Sequence, residues 1–102
     1  MVEFVEICNK EEIQEGQCKI VNVEDKQIAL FNVKGEICAI DNKCAHMGGP
    51  LGEGTLEEDI VTCPLHGWKY NVKDGIGPEN PNAKVQKYEI KVEDNKVMIG
   101  KE

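Results

Sequence analysis

The chain has no arginine, only two histidines and no long apolar run, and each shortage excludes a class of function. Twelve lysines face nineteen acidic residues for a formal net charge of −7, which opposes binding to a polyanion such as nucleic acid. The same balance suits docking on a basic partner surface, or simple solubility, and Lys43 and Lys69 are local exceptions beside the motifs described below. No stretch approaches the eighteen apolar residues of a membrane span, and Met1-Val2-Glu3-Phe4 offers neither a positive leader nor an apolar segment. A soluble, cytoplasmic protein with no membrane partner is therefore expected. With 102 residues there is room for one small domain, 1–102, and His46 and His66 leave imidazoles for one metal site only.

Helix signals are equally scarce. Short alternating segments separated by turn residues predict an antiparallel all-β protein, with strands near Glu3–Cys8, Cys18–Val23, Gln27–Val33, Glu36–Ile40, Asp59–Thr62, Trp68–Val72, Val85–Val92 and Lys96–Ile99. Lys34-Gly35 and Asp94-Asn95 fall between such runs, where hairpins need residues that tolerate positive φ. In the last long run Tyr88, Ile90 and Val92 alternate with Glu89 and Lys91, so one face is expected to be buried. Glu57-Glu58-Asp59 reads as a solvated loop.

What is present is concentrated in four residues. Cys44 and His46 form Cys44-Ala45-His46, Cys63 and His66 form Cys63-Pro64-Leu65-His66, and sixteen residues separate the pairs. Two thiolates and two imidazoles in the order Cys, His, Cys, His are rare, because most iron–sulfur sites use four thiolates and only Rieske centres replace two by histidine. Zinc also accepts two of each in a closed tetrahedron, but zinc fingers pair cysteine with cysteine and histidine with histidine. Glycines at 48, 49 and 67 let backbone come close to whatever the loops hold. The other cysteines, Cys8, Cys18 and Cys38, lie in strand-like apolar stretches and read as core thiols.

The stretches Cys44-Ala45-His46-Met47-Gly48-Gly49-Pro50-Leu51 and Cys63-Pro64-Leu65-His66-Gly67-Trp68 resemble the two cluster-binding loops of a Rieske-type ferredoxin of the soluble, low-potential, oxygenase-associated kind. The resemblance extends over almost the whole chain. It implies a Rieske-type antiparallel β-sandwich with a small inserted cluster-binding subdomain, about residues 41–75. It also implies one [2Fe-2S] cluster, with Cys44 and Cys63 on one iron and His46 and His66 on the other. Family members of high potential carry a disulfide between the loops, where this chain has Gly49 or its neighbours and Leu65, and a serine where it has Trp68. Tyr70 stands where the family can place a tyrosine hydroxyl against a ligand sulfur. Pro81, or Pro78, stands where a proline-containing loop shields the cluster.

Histidine ligands are neutral where thiolates are anionic, so Rieske centres span roughly −150 to +300 mV against about −400 mV for plant-type ferredoxins. Without the serine and the disulfide, a place low in that band is expected. The implied function is one-electron carriage, not enzyme catalysis, from a flavoprotein reductase to an oxygenase or other redox acceptor. Two other readings remain open at this point. One is a small subunit of a multi-component reductase resembling the nitrite reductases; the other is a zinc-stabilised interaction module.

Overall fold

One strand organises the molecule. In Lys26–Val33 the six residues from Ile28 onward are all buried, and successive side chains point to opposite sides of a strand, so both faces must be covered. Ala29, Phe31 and Val33 enter one apolar cluster, and Ile28 and Leu30 enter another. The neighbouring strand repeats the division, with Cys38 and Ile40 on the first side and Ile37 and Ala39 on the second. The protein thus has two cores, one on each side of a middle sheet.

The computed structural model describes residues 3–23, 26–44, 49–65, 67–79 and 83–101. Ten strands are found among them: β1 (Glu3–Asn9), β2 (Cys18–Val23), β3 (Lys26–Val33), β4 (Glu36–Asp41), β5 (Thr55–Glu57), β6 (Ile60–Thr62), β7 (Lys69–Asn71), β8 (Lys87–Tyr88), β9 (Ile90–Glu93) and β10 (Lys96–Lys101). They form antiparallel sheets ordered β1-β10-β9, β2-β3-β4-β8 and β5-β6-β7. The third sheet is inserted in sequence between β4 and β8, which are themselves neighbours. Cys8, Ile13, Val97 and Ile99 fill the core on the side of β1 and β10, whereas Leu51, Val61, Tyr70, Val72, Cys44 and Cys63 fill the other.

The two predicted hairpin turns form as expected. Lys34 and Gly35 have φ of 52° and 91°, Asp94 and Asn95 of 49° and 67°, which is the two-residue geometry whose twist matches the flanking strands. Buried Asn32 supports the first of them: its Oδ1 accepts from Gly35 N–H at 2.8 Å while its Nδ2 donates to the Ile13 carbonyl at 2.8 Å.

Three expectations need correction. The run Val85–Val92 is not one strand; β8 pairs with β4 and β9 pairs with β10, so the chain changes sheets at Glu89. Tyr88 and Ile90 keep their apolar side toward the same core, but Val92 is 40% exposed because β9 is an edge strand that runs past the core. Thr55–Glu57, absent from the sequence reading, is a strand, and Glu58-Asp59 make its turn into β6, with Glu58 at φ 55°. Its signal is weak because only Leu56 packs inward.

The Tyr88 hydroxyl donates to Asp41 Oδ1 at 2.6 Å, tying β8 to the end of β4. Burial first, and then the bonded and charged Asp41, push the tyrosine's pKa well above its ordinary value. The folded hydroxyl therefore holds its proton more tightly than the unfolded chain does. The stabilisation is complete below about pH 10 and is lost as pH climbs toward the folded value. Urea unfolding of Tyr88→Phe beside the parent is expected to show a stability gap that narrows above about pH 10, and a gap independent of pH would refute this account.

Candidate metal centre

β4 ends at Asp41, and the next three residues lead the chain into the first loop. Lys43 pairs with Pro50 in an isolated antiparallel bridge, and Cys44 N–H donates to the Gly49 carbonyl at 2.8 Å. Residues 42–44 and 49–52 therefore run side by side as the neck of the loop. The second loop leaves β6 directly. Cys63 N–H donates to the Trp68 carbonyl at 2.7 Å and the Cys63 carbonyl accepts from Gly67 N–H at 3.1 Å, closing a tight turn.

The tertiary structure brings the two cysteines into one place. Each is 3% exposed, and both belong to the core that contains Tyr70, Leu51, Val61 and Ala83. The loops touch at Gly49: a Cβ built there would lie 2.8 Å from Cys63 Sγ and 3.0 Å from Leu65 Cδ1. Leu65 is 57% exposed and could turn away, but the buried sulfur could not. Position 49 thus needs glycine for room.

Tyr70, fully buried, places its hydroxyl 3.2 Å from Cys44 Sγ. A deprotonated sulfur has no proton to give, so with a thiolate there the hydroxyl is the donor. This is the contact expected for Tyr70. Trp68 is half-buried against the same core and, with Gly67, Lys69, Glu79 and Ala83, lines a shallow depression of about 170 Å³. Lys69 and Glu79 form an exposed ion pair across it at 3.5 Å. Pro78 is exposed. His46, Gly48, His66 and Pro81, the remaining residues singled out in the sequence, lie outside the described residues.

The other three thiols differ in kind. Cys8 and Cys38 are buried and Cys18 half-buried, and in all three burial is the first cause of a raised pKa, with nearby Glu12, Glu53 and Glu36 adding to it. Raised thiols are poor ligands and poor nucleophiles. Cys18 donates to the Gly52 carbonyl. Sequence reasoning missed Ala83 and Asn42. Ala83 packs against the cysteines from beyond the second loop, and a lone alanine carries no sequence signal.

Two cysteine sulfurs in one apolar pocket, a gap that a single methyl would fill and a hydroxyl aimed at one sulfur suit a sulfide-bridged group better than a bare ion. An all-β chain that joins two such cysteine loops in one core has the architecture of an iron–sulfur protein. It belongs to the Rieske [2Fe-2S] family, whose domain model matches residues 3–89. Among its relatives, the ferredoxin component of the naphthalene 1,2-dioxygenase system of Pseudomonas putida is 38% identical over 101 residues, covering 96% of this chain and 95% of that protein. The ferredoxin component of the alkene monooxygenase system of Xanthobacter autotrophicus is 31% identical over 102 residues, covering 99% and 84%. A chain in the solved complex of reduced oxygenase and oxidized ferredoxin in carbazole 1,9a-dioxygenase superposes with a TM-score of 0.86 at 28% identity, covering 94% of this chain and 91% of that one. The protein therefore carries one [2Fe-2S] cluster and works as an electron-transfer component.

The Tyr70 contact has a measurable consequence. A hydrogen bond to the sulfur stabilises negative charge there, so it favours the reduced state. Tyr70→Phe is expected to lower the midpoint potential by roughly 40–60 mV, the one-electron equivalent of about 1–1.5 kcal/mol. A mediated redox titration of both proteins checks it; equal midpoints would show that the hydroxyl does not act on the sulfur.

Proposed function

We propose that Cys44 and Cys63 hold one iron of the cluster and His46 and His66 the other, and that the chain passes single electrons from a flavoprotein reductase to a terminal oxygenase in the cytoplasm. In this reading residues 1–102 are one domain, with the cluster-binding part at about 41–75. The observation that carries it is the convergence of Cys44 and Cys63 in one buried core, with the Tyr70 hydroxyl on the Cys44 sulfur. The acceptor class rests on the relatives, which are ferredoxin components of oxygenase systems. No described helix is long and apolar enough to cross a membrane.

When bound, the cluster supplies reversible storage of one electron, at the iron held by histidine. The rest is done by the chain. The apolar core excludes water from Cys44 and Cys63, Tyr70 supplies a hydrogen bond to the Cys44 sulfur, and Gly49 leaves the Cys63 sulfur its space. Around the second loop, Pro64, Leu65 and Gly67 are exposed, as is Lys43 beside the first. A small, mixed surface of this kind suits partners that must separate quickly.

The test is electron paramagnetic resonance on anaerobically purified, chemically reduced protein, titrated against potential. A rhombic signal with the low average g of a histidine-ligated [2Fe-2S] centre is expected, in a brown-red protein. A colourless, silent protein containing zinc would overturn the reading.

A further inference from the structure

We propose that Asn42 is the positioning residue of the first loop: its side chain, two residues before Cys44, locks the neck that sets where that sulfur sits. The proposal rests on Cys44 being a ligand. Asn42 is 3% exposed, and its polar groups are engaged on both sides of it. Toward the loop, Oδ1 accepts from Gly52 N–H at 2.7 Å, and its carbonyl accepts from Leu51 N–H at 2.7 Å. Toward the middle sheet, its N–H donates to the Gln27 carbonyl at 3.1 Å and Nδ2 donates to Gln27 Oε1 at 3.2 Å. One side chain thus bridges β3 to the returning arm of the loop.

Asparagine suits this place because it has both an acceptor and a donor on a short stem. Gly52 fits it from the other side: a Cβ there would collide with Ile20 and come within 2.9 Å of Asn42 Oδ1, so only glycine brings its amide so close. The 3-10 turn Leu51–Glu53 is further pinned by fully buried Leu51 and by Cys18, which donates to the Gly52 carbonyl. From this anchor the Lys43–Pro50 bridge and the Cys44–Gly49 hydrogen bond follow in order along the neck. Without the Asn42 acceptor the buried Gly52 N–H is orphaned, the two arms of the neck are joined by backbone alone, and Cys44 can drift from Tyr70. Groups that orient metal ligands in this way commonly change metal retention when removed.

Asn42→Ser and Asn42→Asp separate positioning from mere stability. The serine hydroxyl is too short to reach Gly52, whereas aspartate keeps Oδ1, and exposed Gln27 can turn its amide to donate. In cluster-loaded protein challenged with a chelator, Asn42→Ser is expected to bleach roughly tenfold faster than the parent, with shifted g values, while Asn42→Asp stays within about twofold in rate. A serine variant with the parent's rate and g values overturns the proposal, as does an aspartate variant that bleaches as fast as serine. Gln27→Ala, at an exposed site, removes only the outer support and is expected to bleach roughly threefold faster. If Asn42→Ser does not fold and Gln27→Ala matches the parent, Asn42 serves folding alone and the proposal fails. A parent without the Rieske signal would instead refute the ligand assignment itself, so the two failures are distinguishable.

Discussion

Replacing His66 by cysteine is expected to lower the midpoint potential by roughly 250 mV or more, from the low end of the Rieske band to the range of four-thiolate ferredoxins. The cause is charge. On the proposed assignment of His66, a neutral imidazole is exchanged for an anionic thiolate on the iron that takes up the electron, and the added negative charge opposes reduction. At about 59 mV per tenfold for one electron, such a fall is about four orders of magnitude in the reduction equilibrium. A reductase matched to the parent would then leave the variant oxidised. The substitution is also well placed for retaining iron, because the residues on either side of position 66 are held by backbone hydrogen bonds: Cys63 N–H donates to the Trp68 carbonyl at 2.7 Å and Gly67 N–H to the Cys63 carbonyl at 3.1 Å. Iron analysis with a mediated titration followed by paramagnetic resonance is the measurement. An iron-loaded variant at the parent's potential would show that His66 is not a ligand, and His46→Cys repeats the test from the first loop.

The second large effect concerns stability. Gly54 follows the 3-10 turn Leu51–Glu53 and donates its N–H to the Leu51 carbonyl at 3.0 Å. Its φ of −80° is open to any residue, so the constraint is not conformational. It is space: a Cβ would strike the carbonyl oxygen of Thr62, which is backbone and cannot rotate away. Thr62 is the last residue of β6 and pairs with Thr55, and Cys63 follows it. Gly54→Ala must therefore spread the β5–β6 pair at the point where the second loop begins. A cost of roughly 3 kcal/mol is expected, which for a domain of this size is a melting temperature lower by about 12–20 °C. Iron per chain should fall with it, since Cys63 moves with Thr62. Thermal unfolding by circular dichroism decides the matter, and a variant melting within a few degrees of the parent would show that the hairpin absorbs the methyl freely.

Much of this was legible in the sequence, for identifiable reasons. Lys34-Gly35 and Asp94-Asn95 declared their turns because few residue pairs accept two positive φ values in succession. The ends of Cys18–Val23 are legible because Glu15-Gly16-Gln17 and Glu24-Asp25, turn-forming and polar, bracket a run rich in β-branched residues. By contrast, the division of Val85–Val92 between two sheets left no mark, since Tyr88, Ile90 and Val92 keep the strand period across the switch. Thr55–Glu57 was invisible because a three-residue strand with one inward side chain has too short a pattern to read.

The division at the site follows the same logic. The order Cys44, His46, Cys63, His66 and the glycines around it are local chemistry, and chemistry is carried by residue type and spacing; the class of cofactor could be read from them alone. Position is not local. That Tyr70, twenty-six residues away, meets the Cys44 sulfur depends on β6 and β7 folding back beneath the first loop. That Gly49 lies against Cys63, that Asn42 clasps Gly52, and that Ala83 closes the core all arise from packing between distant segments. The residues determined what this protein can bind, because ligand chemistry belongs to single side chains. Only the tertiary structure decided how the sulfurs are held, shielded and hydrogen-bonded, because those properties come from atoms far apart in the chain that share one low-dielectric core.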